Sequence, residues 1–150
     1  MTPKVAVLMG SPNDKEKMAG AGQMLERFGI EVDERVLSAH RNPHEVADFA
    51  ASLRDNGYVA AICGAGMAAH LAGVVAAHTT LPVIGVPLSG GALNGVDALY
   101  ATVQMPKGIP VATVAVDGSA NAGILVAEML SVTDDDMAKK LAEFRAGGAR

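Results

Sequence analysis

The chain has 150 residues and a net charge of −4, with half its residues hydrophobic, 3% aromatic and no Trp. That length makes residues 1–150 one domain with a core of Ala, Val, Leu, Ile and Met, and the acidic balance excludes a general binder of nucleic acid or of membrane surfaces. A lone cysteine, Cys63, excludes an internal disulfide and fits a cytoplasmic location.

Met1–Lys4 leads straight into an apolar run, which leaves no room for a signal peptide. Lys4–Met9 reads as the first strand, stopped by Gly10. A helix follows over about Asp14–Phe28, with Met18, Ala21, Leu25 and Phe28 on one face and Gly29 as its stop. Glu31–Leu37 is the second strand. Asn42 as cap, Pro43 at the first position and Glu45 three residues after the cap then predict a helix running through Leu53 to Gly57. Tyr58–Cys63 is the third strand, and Gly64–Ala68 turns into a helix ending near His78. Val83–Val86 is the fourth strand, followed by a Gly-rich loop, Pro87–Gly95, and a helix over Val96–Gln104. Val111–Val116 is the fifth strand, and helices over Ala120–Leu130 and Thr133–Ala146 close the chain.

Gly57–Val96 lacks Asp, Glu, Lys and Arg, but its glycines, prolines and histidines leave no apolar run of the roughly 20 residues that crossing a membrane requires. It reads instead as the buried middle of a parallel sheet. The strand–helix alternation predicts a flavodoxin-like three-layer α/β/α sandwich with a five-stranded parallel sheet in the order 2-1-3-4-5. The apolar content exceeds what a small monomer hides, so self-association is expected. Met137, Leu141 and Phe144 line one face of the last helix and must cover either their own subunit or a neighbour.

In such a sheet, ligands bind at the carboxyl ends of the strands, and four of those ends carry suitable residues. Gly10, Ser11 and Asp14 open the first helix, where free N–H groups and a hydroxyl suit an anion. Asp14 either caps that helix or accepts hydrogen bonds from ligand hydroxyls such as those of a ribose. Ser38, Ala39, His40 and Arg41 follow the second strand, combining a proton carrier with a planar cationic fork. Gly64-Ala65-Gly66-Met67-Ala68-Ala69 follows the third strand and fits the dinucleotide pattern G-x-G-x-x-A. That reading fails, because the pattern belongs after the first strand and needs an acidic residue about 20 positions on. The glycines instead suit close approach to a flat ring. His70, just inside the next helix, is by residue type alone a hydrogen-bonded structural histidine, and His44 and His78 read as structural or solvated. Ser89–Asn94 supplies a flexible fourth loop. No P-loop and no Cys or His cluster with metal-ligand spacing is present, so the sequence calls for no metal or cofactor.

Taken together, Met9–Asp14, Ser38–Arg41 with Pro43, Gly64–Leu71, Pro82–Pro87, Gly95–Tyr100 and Gln104–Pro110 resemble the PurE family of purine biosynthesis, in family order and over nearly the whole chain. One kind of member isomerises N5-carboxyaminoimidazole ribonucleotide (N5-CAIR) to 4-carboxy-5-aminoimidazole ribonucleotide (CAIR). The other carboxylates aminoimidazole ribonucleotide (AIR) directly with CO2. Ala68-Ala69-His70-Leu71 is similar to the mutase kind.

The resemblance implies His40 as the catalytic acid–base group, Ser11 and Arg41 on the phosphate, and Asp14 on the ribose. Ser38, Ala65, His70 and Leu71 would line the ring and CO2 pocket, with Gly10, Ala39, Gly64 and Gly66 as further substrate contacts. It also implies an octamer whose last helix, within residues 133–150, packs on neighbouring subunits, and chemistry without metal, biotin or ATP. Met67 departs from a commonly smaller residue, Ala72 from a frequent proline, and Pro12-Asn13 from the usual loop. The alternatives are the direct carboxylase and a flavodoxin-like binding module. A receiver-type module is a poor match, since Met9-Gly10 and Cys63-Gly64 stand where acidic residues are needed.

Overall fold

A computed structural model describes residues 2–150; Met1, the first residue of the lead into the first strand, lies outside the described residues. Five parallel strands, β1 (Lys4–Met9), β2 (Glu31–Val36), β3 (Tyr58–Gly66), β4 (Val83–Leu88) and β5 (Ala112–Thr113), form one sheet in the order β2-β1-β3-β4-β5. The helices are α1 (Lys15–Arg27), α2 (Pro43–Ser52), α3 (Leu71–His78), α4 (Val96–Val103), α5 (Ser119–Ser131) and α6 (Asp135–Ala146), with a single 3-10 turn at Pro12–Asp14.

The two-residue alternation of a strand divides the core into two layers. Val5, Val7 and Met9 of β1, with Ile62, Ile84, Val86 and Leu88, face α1, α5 and α6. Ala6 and Leu8, with Ala61, Cys63 and Val83, face α2 and α3. α4 joins that second face at Gly85, where a Cβ would meet Thr102 Cγ2 at 2.3 Å and Ala72 Cβ at 3.4 Å. Small residues set the spacing elsewhere too. α1 and α5 touch through Gly123, where a Cβ would lie 2.8 Å from the Ala21 carbonyl oxygen. The outer strand β2 is charged and largely exposed, which discourages strand addition at that edge. Tyr58 donates its hydroxyl hydrogen to Asp33, which also accepts from Arg35 Nε at 2.9 Å.

The largest departures from the sequence expectation are at α2, which stops at Ser52 instead of running to Gly57, and in the last three strands. β3 runs on through Gly64, Ala65 and Gly66 rather than turning there, because β4 also extends and pairs Ala65 with Pro87 and Gly66 with Leu88. β5 shrinks to two residues, paired only with Ile84 and Gly85. Pro87 of β4 carries no N–H, so the ladder cannot continue at that point. The segment keeps one further bond, Val114 N–H to the Gly85 carbonyl at 3.1 Å, then bends away before the Asp117 N–H returns to the Pro87 carbonyl at 2.9 Å.

The last helix covers its own subunit with the face that the sequence left unassigned. Its apolar face, Met137, Leu141 and Phe144, is buried within its own subunit beside α1 and α5. Phe144 meets Phe28 edge-on at 5.5 Å, and Arg27 stacks over the Phe144 ring at 4.8 Å. Among the described residues no helix is long and apolar enough to cross a membrane.

Candidate active site

The carboxyl ends of β1, β2 and β3 are joined by short backbone bonds. Gly10 N–H donates to the Gly64 carbonyl at 3.2 Å and Leu37 N–H to the Met9 carbonyl at 2.9 Å. These bonds carry the strand order into the loops, so Ser11–Asp14, Ser38–Arg41 and Met67–His70 emerge side by side.

The loop after β2 is built by Ser38 and Asn42. Ser38 N–H donates to Asn42 Oδ1 at 3.2 Å, Asn42 N–H donates to the Ser38 carbonyl at 2.8 Å, and the Ser38 hydroxyl accepts Arg41 N–H at 3.1 Å. Asn42 was expected to cap α2, yet its side chain makes no bond to that helix and turns back to the strand end instead. Ser38 is correspondingly buried, and its oxygen shapes the loop while its hydroxyl hydrogen remains to donate. The four-residue turn leaves Ala39 half-buried against the α2–α3 core and throws His40 and Arg41 outward.

His40 Nε2 lies 2.7 Å from His70 Nδ1, with the rings edge-on at 4.8 Å. One ring must donate and the other accept, so the contact couples their tautomers. His70 stands at the cap position of α3 in helical conformation, one residue before the helix rather than within it. The pairing of two histidines 30 positions apart is a contact that residue-type reasoning missed, because only the adjacency of β2, β1 and β3 brings them together.

At the end of β1, Ser11 caps the 3-10 turn, its hydroxyl accepting Asn13 N–H at 3.2 Å. Asp14 makes no side-chain cap bond to α1, which leaves its carboxylate available to a ligand. Burial pushes the Asp14 carboxyl above its ordinary value, opposed by the Lys17 ammonium and by a backbone bond from Ser11. The Arg41 guanidinium is exposed and, among the described residues, forms no ion pair.

Four expected contacts change character. Leu71 is only 2% exposed and belongs to the α2–α3 core, so its N–H at the first position of α3 is the group it can offer. Gly64 is needed for packing rather than for a ring, since a Cβ there would meet Met18 Sδ at 2.3 Å. Ala65 and Gly66 sit inside the β3–β4 ladder. Gly10, by contrast, has open space where a Cβ would stand, as close approach by a ligand requires. Two surface clefts, of about 460 Å³ beside Thr79–Val83 and about 420 Å³ between α5 and α6, contain none of these residues. The site is an open shelf.

A flavodoxin-like parallel sheet with a histidine pair, an exposed arginine and a partly buried carboxylate along its carboxyl edge is the arrangement of an α/β enzyme. The chain belongs to the AIR carboxylase family, whose model matches residues 4–150. It is 48% identical to an N5-carboxyaminoimidazole ribonucleotide mutase of Vibrio vulnificus (strain CMCP6), over 95% of this chain and 90% of that protein. It is likewise 48% identical to a protein of the same name from Bacillus subtilis (strain 168), over 97% of this chain and 91% of the relative. The crystal structure of Treponema denticola PurE superposes with a TM-score of 0.88 at 28% identity, covering 98% of this chain and 92% of that one.

Proposed function

We propose that the protein converts N5-CAIR to CAIR in purine biosynthesis, the activity for which its relatives are named. The observation that carries the chemistry is the contact between His40 and His70 on an exposed shelf of strand ends. In this reading the His40 imidazolium gives its proton to the carbamate nitrogen as the nitrogen–carbon bond breaks and the bonding pair returns to nitrogen. Ring carbon C4 then attacks the released CO2, and the same imidazole removes the proton from C4, restoring the aromatic ring. One side chain gives and recovers the proton, so the cycle closes without an outside acid or base. His70 holds the His40 ring in one tautomer and orientation. Arg41 grips the phosphate with its fork, helped by the Ser11 hydroxyl, and Asp14 accepts from the ribose hydroxyls.

Trapped CO2 needs walls that the open shelf lacks, which supports enclosure by a second copy of the chain. Val96, Tyr100 and Val103 lie on one face of α4 at four- and three-residue spacing and are 51%, 63% and 43% exposed. Leu93, on the loop before α4, adds to that apolar surface. We take the working assembly to be a homo-octamer in the cytoplasm, with α4 rather than the apolar face of α6 as the associating surface.

The family model's description favours a second reading, direct carboxylation of AIR. Incubation with N5-CAIR alone, against AIR with bicarbonate, separates the two. Rapid CAIR formation from N5-CAIR alone is expected; formation only from AIR and bicarbonate would replace this reading by the carboxylase.

A further inference from the structure

Ser89, the first residue beyond β4, is held from two distant parts of the chain. Its N–H donates to Asp117 Oδ1 at 2.9 Å and its hydroxyl to Asp117 Oδ2 at 2.5 Å. Its carbonyl accepts from Lys17 Nζ at 2.5 Å. The ring closes on itself, because Ser119, two residues after Asp117, donates its hydroxyl hydrogen to the Lys17 carbonyl at 2.7 Å. Asp117 occupies left-handed backbone, φ 58°, a conformation that costs a non-glycine residue energy and persists only where its surroundings demand it.

What this arrangement holds is a loop with little else to fix it. Gly90, Gly91, Asn94 and Gly95 all have positive φ, and Asn94 N–H reaches the Gly91 carbonyl only at 3.4 Å. Met67, itself left-handed at φ 51°, packs on Gly91 so closely that a Cβ there would lie 3.1 Å from its sulfur. The loop thus lies against the segment that ends in His70. On its other side, Lys17 stands one helical turn from Asp14 and acts electrostatically on both Asp14 and Asp117.

We propose that Asp117 is a positioning residue: acting through Ser89, with Lys17 pinning the Ser89 carbonyl, it holds loop 89–95 against the Met67–His70 segment as a preformed wall of the substrate site. The proposal rests on the reading that N5-CAIR occupies that site. A pinned wall removes the ordering that a free glycine loop would undergo when substrate arrives, so its loss falls on binding before chemistry. The carboxylate is kept ionised: partial burial pushes the Asp117 carboxyl up, but the Ser89 hydroxyl, the Ser89 amide and the Lys17 ammonium outweigh burial and hold it below its ordinary value. Charge-assisted bonds of this kind are about twice as strong as neutral ones, although exposure to solvent weakens them.

Steady-state kinetics with N5-CAIR and amide hydrogen exchange across residues 89–95 test this in Asp117→Gly, Asp117→Asn and Ser89→Ala. Glycine adopts φ 58° without strain, so Asp117→Gly removes the carboxylate and leaves the backbone at ease. It is expected to raise KM about tenfold with kcat within about twofold, and to speed exchange in the loop about tenfold. Asn keeps one acceptor oxygen and left-handed tolerance, so Asp117→Asn recovers part of both effects, and Ser89→Ala behaves like a milder Asp117→Gly. Wild-type KM and wild-type loop exchange in Asp117→Gly and Ser89→Ala would overturn the proposal, as would an equal effect of all three variants on kcat alone. If the wild-type protein fails to turn over N5-CAIR, the functional reading falls separately, and loop exchange still decides whether Asp117 pins the wall.

Discussion

Replacing His40 by Asn removes a proton carrier while disturbing little else. The side chain is exposed at a strand end, and among the described residues its one hydrogen-bonded partner is His70 at 2.7 Å. Two losses are therefore separable. The hydrogen bond contributes about 1 kcal/mol net, roughly fivefold in rate if it serves only to orient the ring. Proton transfer by a positioned side chain contributes about 100- to 10,000-fold. His40→Asn should accordingly lose at least about 100-fold in turnover of N5-CAIR at an unchanged unfolding temperature. His70→Ala, which leaves the imidazole of His40 in place, should lose about fivefold if orientation is its whole role. The assay is CAIR formation followed chromatographically, with thermal unfolding run on the same samples. A folded His40→Asn enzyme keeping more than about a tenth of wild-type turnover would refute the assignment, since no acid–base group of the expected weight can be so dispensable. A His70→Ala loss equal to that of His40→Asn would show that the two rings work as one catalytic unit.

Asp14→Asn should raise KM and, at neutral pH, raise the unfolding temperature. Burial is the dominant influence and lifts the folded-state pKa, opposed by Lys17 and a Ser11 backbone bond, so the carboxyl contributes stability at acid pH and loses it as pH rises through its folded pKa. The thermal gain from Asp14→Asn should then shrink between pH 7 and pH 4, a trend that a pH series of melting curves checks. Phe144→Ala removes the edge-on partner of Phe28 and should cost about 3–5 kcal/mol, read as a lower urea midpoint. Deleting residues 133–150 uncovers Met137, Leu141 and Phe144 contacts together, and should unfold the subunit rather than yield a smaller folded oligomer, as circular dichroism would report. Tyr100→Glu puts a charge in the exposed α4 stripe and should lower the particle mass by light scattering while the subunit stays folded.

The local signals in the chain were sufficient for much of the architecture. Alternating apolar runs and glycine or proline stops located β1, α1 and α3 to within a residue or two, and the strand–helix alternation implied the parallel order that the sheet adopts. The exposed position of His40 and Arg41 at a strand end was legible because a polar cluster after a strand has one natural place in such a sheet. What the residues could not express alone is everything decided across strands. Gly64 and Gly66 look like a turn in isolation, but an extending β4 offers a ladder that makes strand cheaper than loop there. Asn42 has the features of a cap, yet the Ser38 N–H competes for its oxygen and wins. The apolar stripe of α6 carries no address; only the depth left between α1 and α5, and the Phe28 ring at its base, turn it inward. His70 became a partner of His40, and Asp117 of Ser89, through parallel strand order, which sets residues 30 and 28 positions apart within hydrogen-bonding distance. Pattern along a chain encodes which groups are available and which face they take, whereas distance between groups is a property of the packed sheet.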